Sequence, residues 1–425
     1  MAATSKSCAA SDKAGTRRTA QMARNEWIPA AGIAAGSHYQ GDQEMKKLVR
    51  TSALLAGVLF AGVAGAEINI GVVGSSTGPI ANVGIPQKNT VPLLPTRIGG
   101  QDVKYTYLDD GSDPTAAVVA VKKLIEESKV DAIIGATGGP NTLGVIPFVA
   151  EARVPLLAPT GSAAVVLPMN EQKKWVFKTT QNDDLIASAL IEHMAATGIK
   201  SVGFIGTADA YGENWEKVFR VGAEANGIRI VATEKFQRQD ASVAGQAIKL
   251  LSARPDAILV AAPGTLAALP QITLKDRGYK GLFYQTHGAA LNEFLKLGGG
   301  KVEGTIIAAS LMLVVDEVSD GHPSKTIAKN YIAAYQKLHG ATPATFGGNV
   351  FDAGLLLERA IPKALEKGQP GTVAFRTALR DALEQTRELP ASQGVYNMTP
   401  TDHSGFDERG RVLITVKNGE WTLLK

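Results

Sequence analysis

Apolar and polar positions along this chain follow two periods that alternate with each other. Ile68-Asn69-Ile70-Gly71-Val72-Val73-Gly74 is a short apolar run closed by glycine and followed by a Ser/Thr/Gly/Pro cluster, which predicts a strand and then a loop. Val103-Lys104-Tyr105-Thr106-Tyr107-Leu108 alternates apolar with polar residues and predicts a second strand. Asp113-Pro114 then reads as a helix N-cap with proline at the first helical position, where a missing N–H costs nothing. Behind it Val118, Val121, Leu124 and Ile125 recur at helical spacing. The unit repeats as strand 131–135, a glycine-rich turn, a helix through about Ala152, and strand 154–158.

After about Asp183 the rhythm restarts. Helix 184–197 leads to strand 201–205, helix 212–226 to strand 228–231, helix 243–253 to strand 257–260, and helix 265–277 to strand 282–284. Strands alternating with helices of this length imply mostly parallel sheets covered on both faces, and two such series imply two lobes. From about Gly304 the pattern gives one strand, then helices 324–339, 347–365 and 373–389. A terminal hairpin follows, turning at Lys417-Asn418-Gly419, since Asn-Gly is the strongest short hairpin signal. The expected fold class is α/β, each lobe a mostly parallel sheet flanked by helices.

Before the first strand the chain changes character. Met45-Lys46-Lys47-Leu48-Val49-Arg50 is positively charged, residues 54–63 are apolar, and Ala64-Gly65-Ala66 is a small-residue cleavage site. This is the layout of a secretory signal peptide, residues 45–66, cut after Ala66. A membrane anchor is the alternative, but the apolar stretch falls short of the roughly 20 residues that span a bilayer. Export signals stand at the true amino terminus, so translation is expected to start at Met45 and residues 1–44 to be a misassigned extension. Of the 44 basic and 40 acidic residues, 8 and 4 lie before Glu67, and the 36 of each that remain leave the expected mature chain neutral. The net charge of +4 therefore lies before Glu67 and gives no support for a nucleic-acid partner, whose footprint is a clustered basic surface. Cys8, the single cysteine, also lies there, so disulfides, a cysteine nucleophile and thiolate metal sites are excluded from the mature chain.

In open parallel sheets, ligands bind beyond the carboxyl ends of strands. Three loops at such positions are crowded with small residues: Gly74-Ser75-Ser76-Thr77-Gly78-Pro79, the segment 135–142 ending in Asn141 and Thr142, and Ala158-Pro159-Thr160-Gly161-Ser162-Ala163. Their free backbone N–H groups and hydroxyls can converge on an anion in the field of a helix amino terminus. Turns of this fold class need Gly and Ser for structural reasons alone, but three such loops in succession favour a site. No lysine follows the glycines in Walker fashion and no Gly-x-Gly-x-x-Gly follows a strand, so a carboxylate fits better than a nucleotide. The six histidines include no pair at metal-ligand spacing, and no metal or other cofactor is expected.

In their order and spacing these features closely resemble the leucine/isoleucine/valine-binding proteins of bacterial uptake systems, the type I periplasmic-binding family. The resemblance rests on the Ser75–Pro79 loop, Leu108-Asp109-Asp110-Gly111-Ser112-Asp113-Pro114, Pro159-Thr160-Gly161-Ser162, Tyr211-Gly212-Glu213 and Gly405-Phe406-Asp407. It covers the whole chain after the leader. It implies a periplasmic carrier, expected to be a monomer, that delivers a small carboxylate to the permease subunits of an ABC importer. The lobes would be residues 67–182 with 316–389 and residues 183–315 with 390–425, joined by a three-crossing hinge. The ligand carboxylate would be held by the loops matching Asn141 and Thr160 to Ser162, with Ser75, Ser76 and Thr142 in the same small-residue loops, and Tyr211 would cover it from the second lobe.

One residue departs from that family. Its amino acid binders place an acid after the strand corresponding to 282–285, where it neutralises the ligand ammonium, and the residue here is His287. Losing such a partner costs a zwitterion roughly 1.5 to 3 kcal/mol, about tenfold to a hundredfold in affinity. With the segment Val83-Gly84-Ile85-Pro86-Gln87-Lys88-Asn89-Thr90-Val91, this resembles a branch associated with aromatic and other organic carboxylates. The alternative makes His287 a structural histidine with the acid supplied elsewhere, and keeps branched-chain or hydrophobic amino acids as ligands.

Two other functions are weighed. Gly74-Ser75-Ser76-Thr77-Gly78 fits Gly-x-Ser-x-Gly, with Ser76 as a hydrolase nucleophile and His403 as its base. That motif needs a helix immediately behind the serine, and Pro79, Gly84 and Pro86 disfavour one. A ligand-binding sensor subunit of the same fold is the other non-enzymatic reading.

Overall fold

A computed structural model describes residues 67–424, so the expected leader and extension lie outside the described residues. β1 (Ile68–Gly74) is buried along almost its whole length and forms the middle of the first sheet. With β2 (Arg97–Ile98), β3 (Gln101–Asp109), β4 (Ala132–Ile134), β5 (Leu156–Ala158) and β6 (Val176–Lys178), the sheet order is β2-β3-β1-β4-β5-β6. All pairings are parallel except the short β2–β3 hairpin. Helices α1 (Ala81–Thr90), α2 (Pro114–Glu126) and α3 (Gly139–Glu151) alternate with these strands. α2 opens as its sequence requires, Asp113 Oδ1 accepting the Ala116 N–H at 2.7 Å.

The second series runs α4 (Asp183–Ala196), β7 (Ser201–Thr207), α5 (Ala210–Ala225), β8 (Arg229–Phe236), α6 (Ala244–Ser252), β9 (Ala257–Ala261), α7 (Ala268–Asp276), β10 (Leu282–Gln285), α8 (Asn292–Gly298) and β11 (Ile306–Ala309). Then come α9 (Lys325–His339), α10 (Thr345–Leu365), α11 (Val373–Glu384), a ribbon of β12 (Leu389–Pro390) and β13 (Val395–Tyr396), and the hairpin β14 (Val412–Lys417) and β15 (Glu420–Leu423). The second sheet has the order β15-β14-β11-β10-β9-β7-β8, and only the hairpin strands pair antiparallel. Asn418 and Gly419 both take positive φ, 56° and 76°, as a tight primed turn demands.

Each sheet is covered on both faces. α2 and α3 bury Val121, Leu124, Val145 and Val149 against one face of the first sheet, and α10 and α11 bury Leu356, Leu357 and Leu379 against the other. α4 and α5 do the same for the second sheet through Leu190, Trp215 and Phe219, opposite α6, α7 and α8.

Three details depart from the sequence expectation. A regular helix, α1, does form over Gly84 and Pro86. Gly84 permits it, because a Cβ there would lie 2.0 Å from the Ser75 carbonyl oxygen, and packing against α10 offsets the roughly 3 kcal/mol that a helical proline costs. β6 was not expected, because the buried Lys178 interrupts its apolar pattern. The chain also does not return to the second lobe at 390. Ala391, Tyr396 and Met398 belong to the first core, Tyr396 Oη donates to the Thr179 carbonyl at 3.1 Å, and the chain joins the second sheet only at Val412. Burial of Tyr396 and stacking of His403 on Phe177 hold this segment in the first lobe.

Candidate functional site

Loops that follow strand carboxyl ends in both sheets wall a narrow cavity of about 40 Å³. Gly138, Pro159, Thr160, Gly161 and Thr180 come from the first lobe, with Val83 of α1. Tyr211, Arg238, Pro263, His287 and Gly288 come from the second, and Phe346 and Asn349 at the start of α10 close the floor. The lobes touch above it: Asn82 Nδ2 donates to Thr265 Oγ1 at 3.1 Å. A Cβ on Gly161 would stand 2.4 Å from His287 Nε2, so the glycine makes this approach possible.

The residues singled out in the sequence divide into two groups. Thr160, Gly161, Tyr211 and His287 reach the cavity wall, and Ser162 lies just behind it, its hydroxyl buried without a partner. Ser75, Ser76, Asn141 and Thr142 do not line it. Ser75 Oγ donates to Asp110 Oδ1 at 2.6 Å, and Asn141 Nδ2 to Asp110 Oδ2 at 2.8 Å. The Ser76 N–H goes to Asp109 at 2.9 Å, and Thr142 Oγ1 to the Ala136 and Gly138 carbonyls. A buried carboxylate such as Asp110 needs hydrogen bonds, which Ser75 and Asn141 supply, while Ser76 braces its loop on Asp109 and Thr142 braces the turn before α3. His403, the base considered for Ser76, does not face it: it is fully buried against Phe177 and faces the Val176 carbonyl and Glu384.

Residues 67–418 match the profile of the periplasmic binding proteins. The chain belongs to this family. Among its relatives is the Leu/Ile/Val-binding protein BraC3 of Rhizobium johnstonii, 23% identical over 81% of this chain and 90% of its own. Among solved structures, an extracellular ligand-binding receptor from Rhodopseudomonas palustris HaA2 is 44% identical, covers 84% of this chain and 100% of its own, and superposes with a TM-score of 0.82. A solute binding protein of an ABC transporter from Rhodopseudomonas palustris BisB5, solved in complex with 3,4-dihydroxy benzoic acid, shares the fold at 21% identity over 84% of this chain and 96% of its own, with a TM-score of 0.71.

The charges of this periplasmic binding protein are arranged unevenly about the cavity. Arg238 is the one charged residue on the described wall, and no Asp or Glu lines it. Burial, and then the Lys178 charge, push the His287 imidazole down to about 3, so it is neutral, and its Nδ1 has no partner. Beneath Gly161, Lys178 Nζ donates to the Gly161 carbonyl at 2.5 Å, Asn182 Oδ1 at 2.7 Å and the Gln181 carbonyl at 3.2 Å. Burial lowers the Lys178 pKa and raises that of neighbouring Asp183, and the pair's mutual attraction opposes both shifts. Thr180 Oγ1 and Asn349 Oδ1, both on the wall, are also buried without partners.

Sequence reasoning missed Arg238, Thr180, Phe346 and Asn349 on the wall, and Lys178 behind it. A lysine ending the apolar run Val176-Phe177-Lys178 was a signal available to it. Arg238 and Asn349 give none, because they reach the cavity only through the packing of β8 and α10.

Proposed function

We propose that this protein is the substrate-binding component of an ABC importer that encloses a small organic carboxylate lacking an ammonium group, an aromatic acid before an amino acid, and delivers it to the permease. One observation carries the reading: the described cavity wall has a single cation, a neutral histidine where an acid would face an ammonium, and no carboxylate. Transferring an ammonium into such a site leaves it without a counter-charge, whereas a carboxylate meets Arg238 and the amino terminus of α3. The apolar part of the wall, Val83, Pro159, Tyr211, Pro263 and Phe346, suits a ring or a short hydrocarbon body. The 3,4-dihydroxy benzoic acid bound by the BisB5 protein supports the same choice, since it fills the same fold with an aromatic acid.

Family membership implies work in the periplasm, and among the described residues no helix is long and apolar enough to cross a membrane. A site split between lobes lets closure bury the ligand and present a distinct surface to a permease. The test is a thermal-shift screen with benzoate, hydroxybenzoates, phenylpropanoid acids, leucine, isoleucine and valine. A ligand at a hundred times its dissociation constant stabilises by about 2.7 kcal/mol. Stabilisation by the aromatic acids is expected, and stabilisation by leucine alone would overturn the ligand class.

A further inference from the structure

The following step rests on the carboxylate reading and adds a residue to it. Arg238 follows β8 in the second lobe, and its guanidinium is held on one side only. Nε donates to Asp209 Oδ2 at 2.5 Å, and no described residue accepts from either Nη group. Asp209 in turn caps α5, accepting the N–H groups of Tyr211 at 2.9 Å and Gly212 at 3.2 Å, so the guanidinium is fixed before a ligand arrives. The side chain is 14% exposed, which leaves its free donors little water to bond.

Across the cleft those donors face the first lobe. A Cβ built on Gly138, the cap of α3, would come within 4.0 Å of Arg238 Nη1. The partnerless Ser162 hydroxyl is 3.8 Å from where a Cβ on Gly139 would stand. Arg238 also lines a second crevice of about 180 Å³ between the lobes, bordered by Pro140 and Asn141 on one side and by Asp209 and Gln239 on the other. It is therefore the partition between the cavity and the outer cleft.

We propose that Arg238 is a specificity-determining residue, which clamps the ligand carboxylate from the second lobe against the amino terminus of α3 and the Ser162 hydroxyl of the first. The planar guanidinium can offer two parallel donors to a carboxylate. Because the anion then touches groups from both lobes, its binding energy is complete only in the closed form, and the ligand's charge drives closure.

Calorimetry with benzoate and with benzamide, its uncharged counterpart, tests this on the purified protein. Wild type is expected to prefer benzoate. Arg238→Met should weaken benzoate roughly tenfold to a hundredfold and change benzamide little. The double variant R238M/D209N should do the same, and it removes the pair without stranding a carboxylate, since asparagine still caps a helix. Melting of each variant without ligand checks that it folds. If both variants keep the wild-type preference for benzoate, the clamp is wrong and the carboxylate reading survives. A wild-type protein that binds neither probe, or both equally, removes the carboxylate reading and the clamp with it.

Discussion

The two lips of the cavity are built from different materials. The first lobe offers Gly138, Pro159, Thr160 and Gly161, residues whose side chains are too small to stand between a ligand and the backbone. The second offers Tyr211, Arg238 and His287, whose side chains themselves form the wall. Main-chain N–H groups and a helix terminus recognise an anionic headgroup with little regard for what carries it. In the proposed mode the guanidinium completes the grip on the headgroup while ring and imidazole face the rest of the molecule, so family members can share the first lip and differ in the second. The difference also assigns order: the first lip is preset by its loops, and the second completes the site when the lobes meet.

The comparison breaks most completely where the two lips touch. Gly161→Val would place a branched side chain where even a Cβ lies 2.4 Å from His287 Nε2 and 3.1 Å from Asp183 Oδ1. Overpacking of this kind costs about 1 to 3 kcal/mol or more, and here it falls on the closed form alone. We expect affinity for an aromatic acid to drop about a hundredfold, with scattering that stays open at saturating ligand and a melting temperature near wild type. Wild-type affinity in calorimetry would show that the lobes do not meet at Gly161.

His287→Asp sharpens the comparison by changing the second lip's charge and leaving the first untouched. A carboxylate there repels an anionic ligand and supplies a zwitterion's missing partner, so benzoate should weaken and leucine strengthen, each by about tenfold or more. No gain for leucine would mean that the first lip, not His287, rejects amino acids. The same residue leaves a mark on stability. Its folded pKa is held at about 3 against an ordinary 6.5, so its contribution is complete above pH 6.5 and is lost as pH falls from there toward 3, at up to about 1.4 kcal/mol per pH unit. Asp352 works in the opposite sense. Burial raises it to about 7, so its contribution is complete below about pH 4 and is lost as pH rises through 7. Denaturant unfolding of wild type and His287→Gln between pH 4 and 7 separates the two, and the variant should lose less stability on acidification.

The first lip was legible in the sequence and the second only in part. Strand–loop–helix punctuation pointed to Thr160 and Gly161, which line the cavity, and to Ser162 just behind them, because a glycine-rich loop after an apolar run has few other places to be. The same punctuation pointed to Ser75 and Asn141, which do not line the cavity, since a loop that walls a cavity and one that braces it need the same small polar residues. Which of the two occurs depends on Asp110, whose burial draws both side chains inward. Arg238 and Asn349 were invisible for another reason: neither stands in a loop of distinctive composition, and both reach the cavity through the stacking of elements distant in the chain. The segment 391–410 was assigned to the wrong lobe because short strands and turns carry no period from which to tell which core they join.

The smallest expected effect separates contacts made within a lip from contacts made between them. Tyr211 Oη shares a hydrogen bond of 2.8 Å with Thr286 Oγ1, and both residues belong to the second lobe. That bond therefore exists whether the lobes are open or closed, unlike the approach of His287 to Gly161. Tyr211→Phe keeps the ring on the cavity wall and deletes only the bond, so its cost of about 0.5 to 1.5 kcal/mol should appear in the stability of the ligand-free protein. Affinity should stay near wild type, because open and closed forms lose the same interaction. A tenfold loss of affinity with unchanged stability would instead mean that the hydroxyl touches the ligand directly, and that the second lip reads its polar groups through Tyr211 as well as through Arg238 and His287.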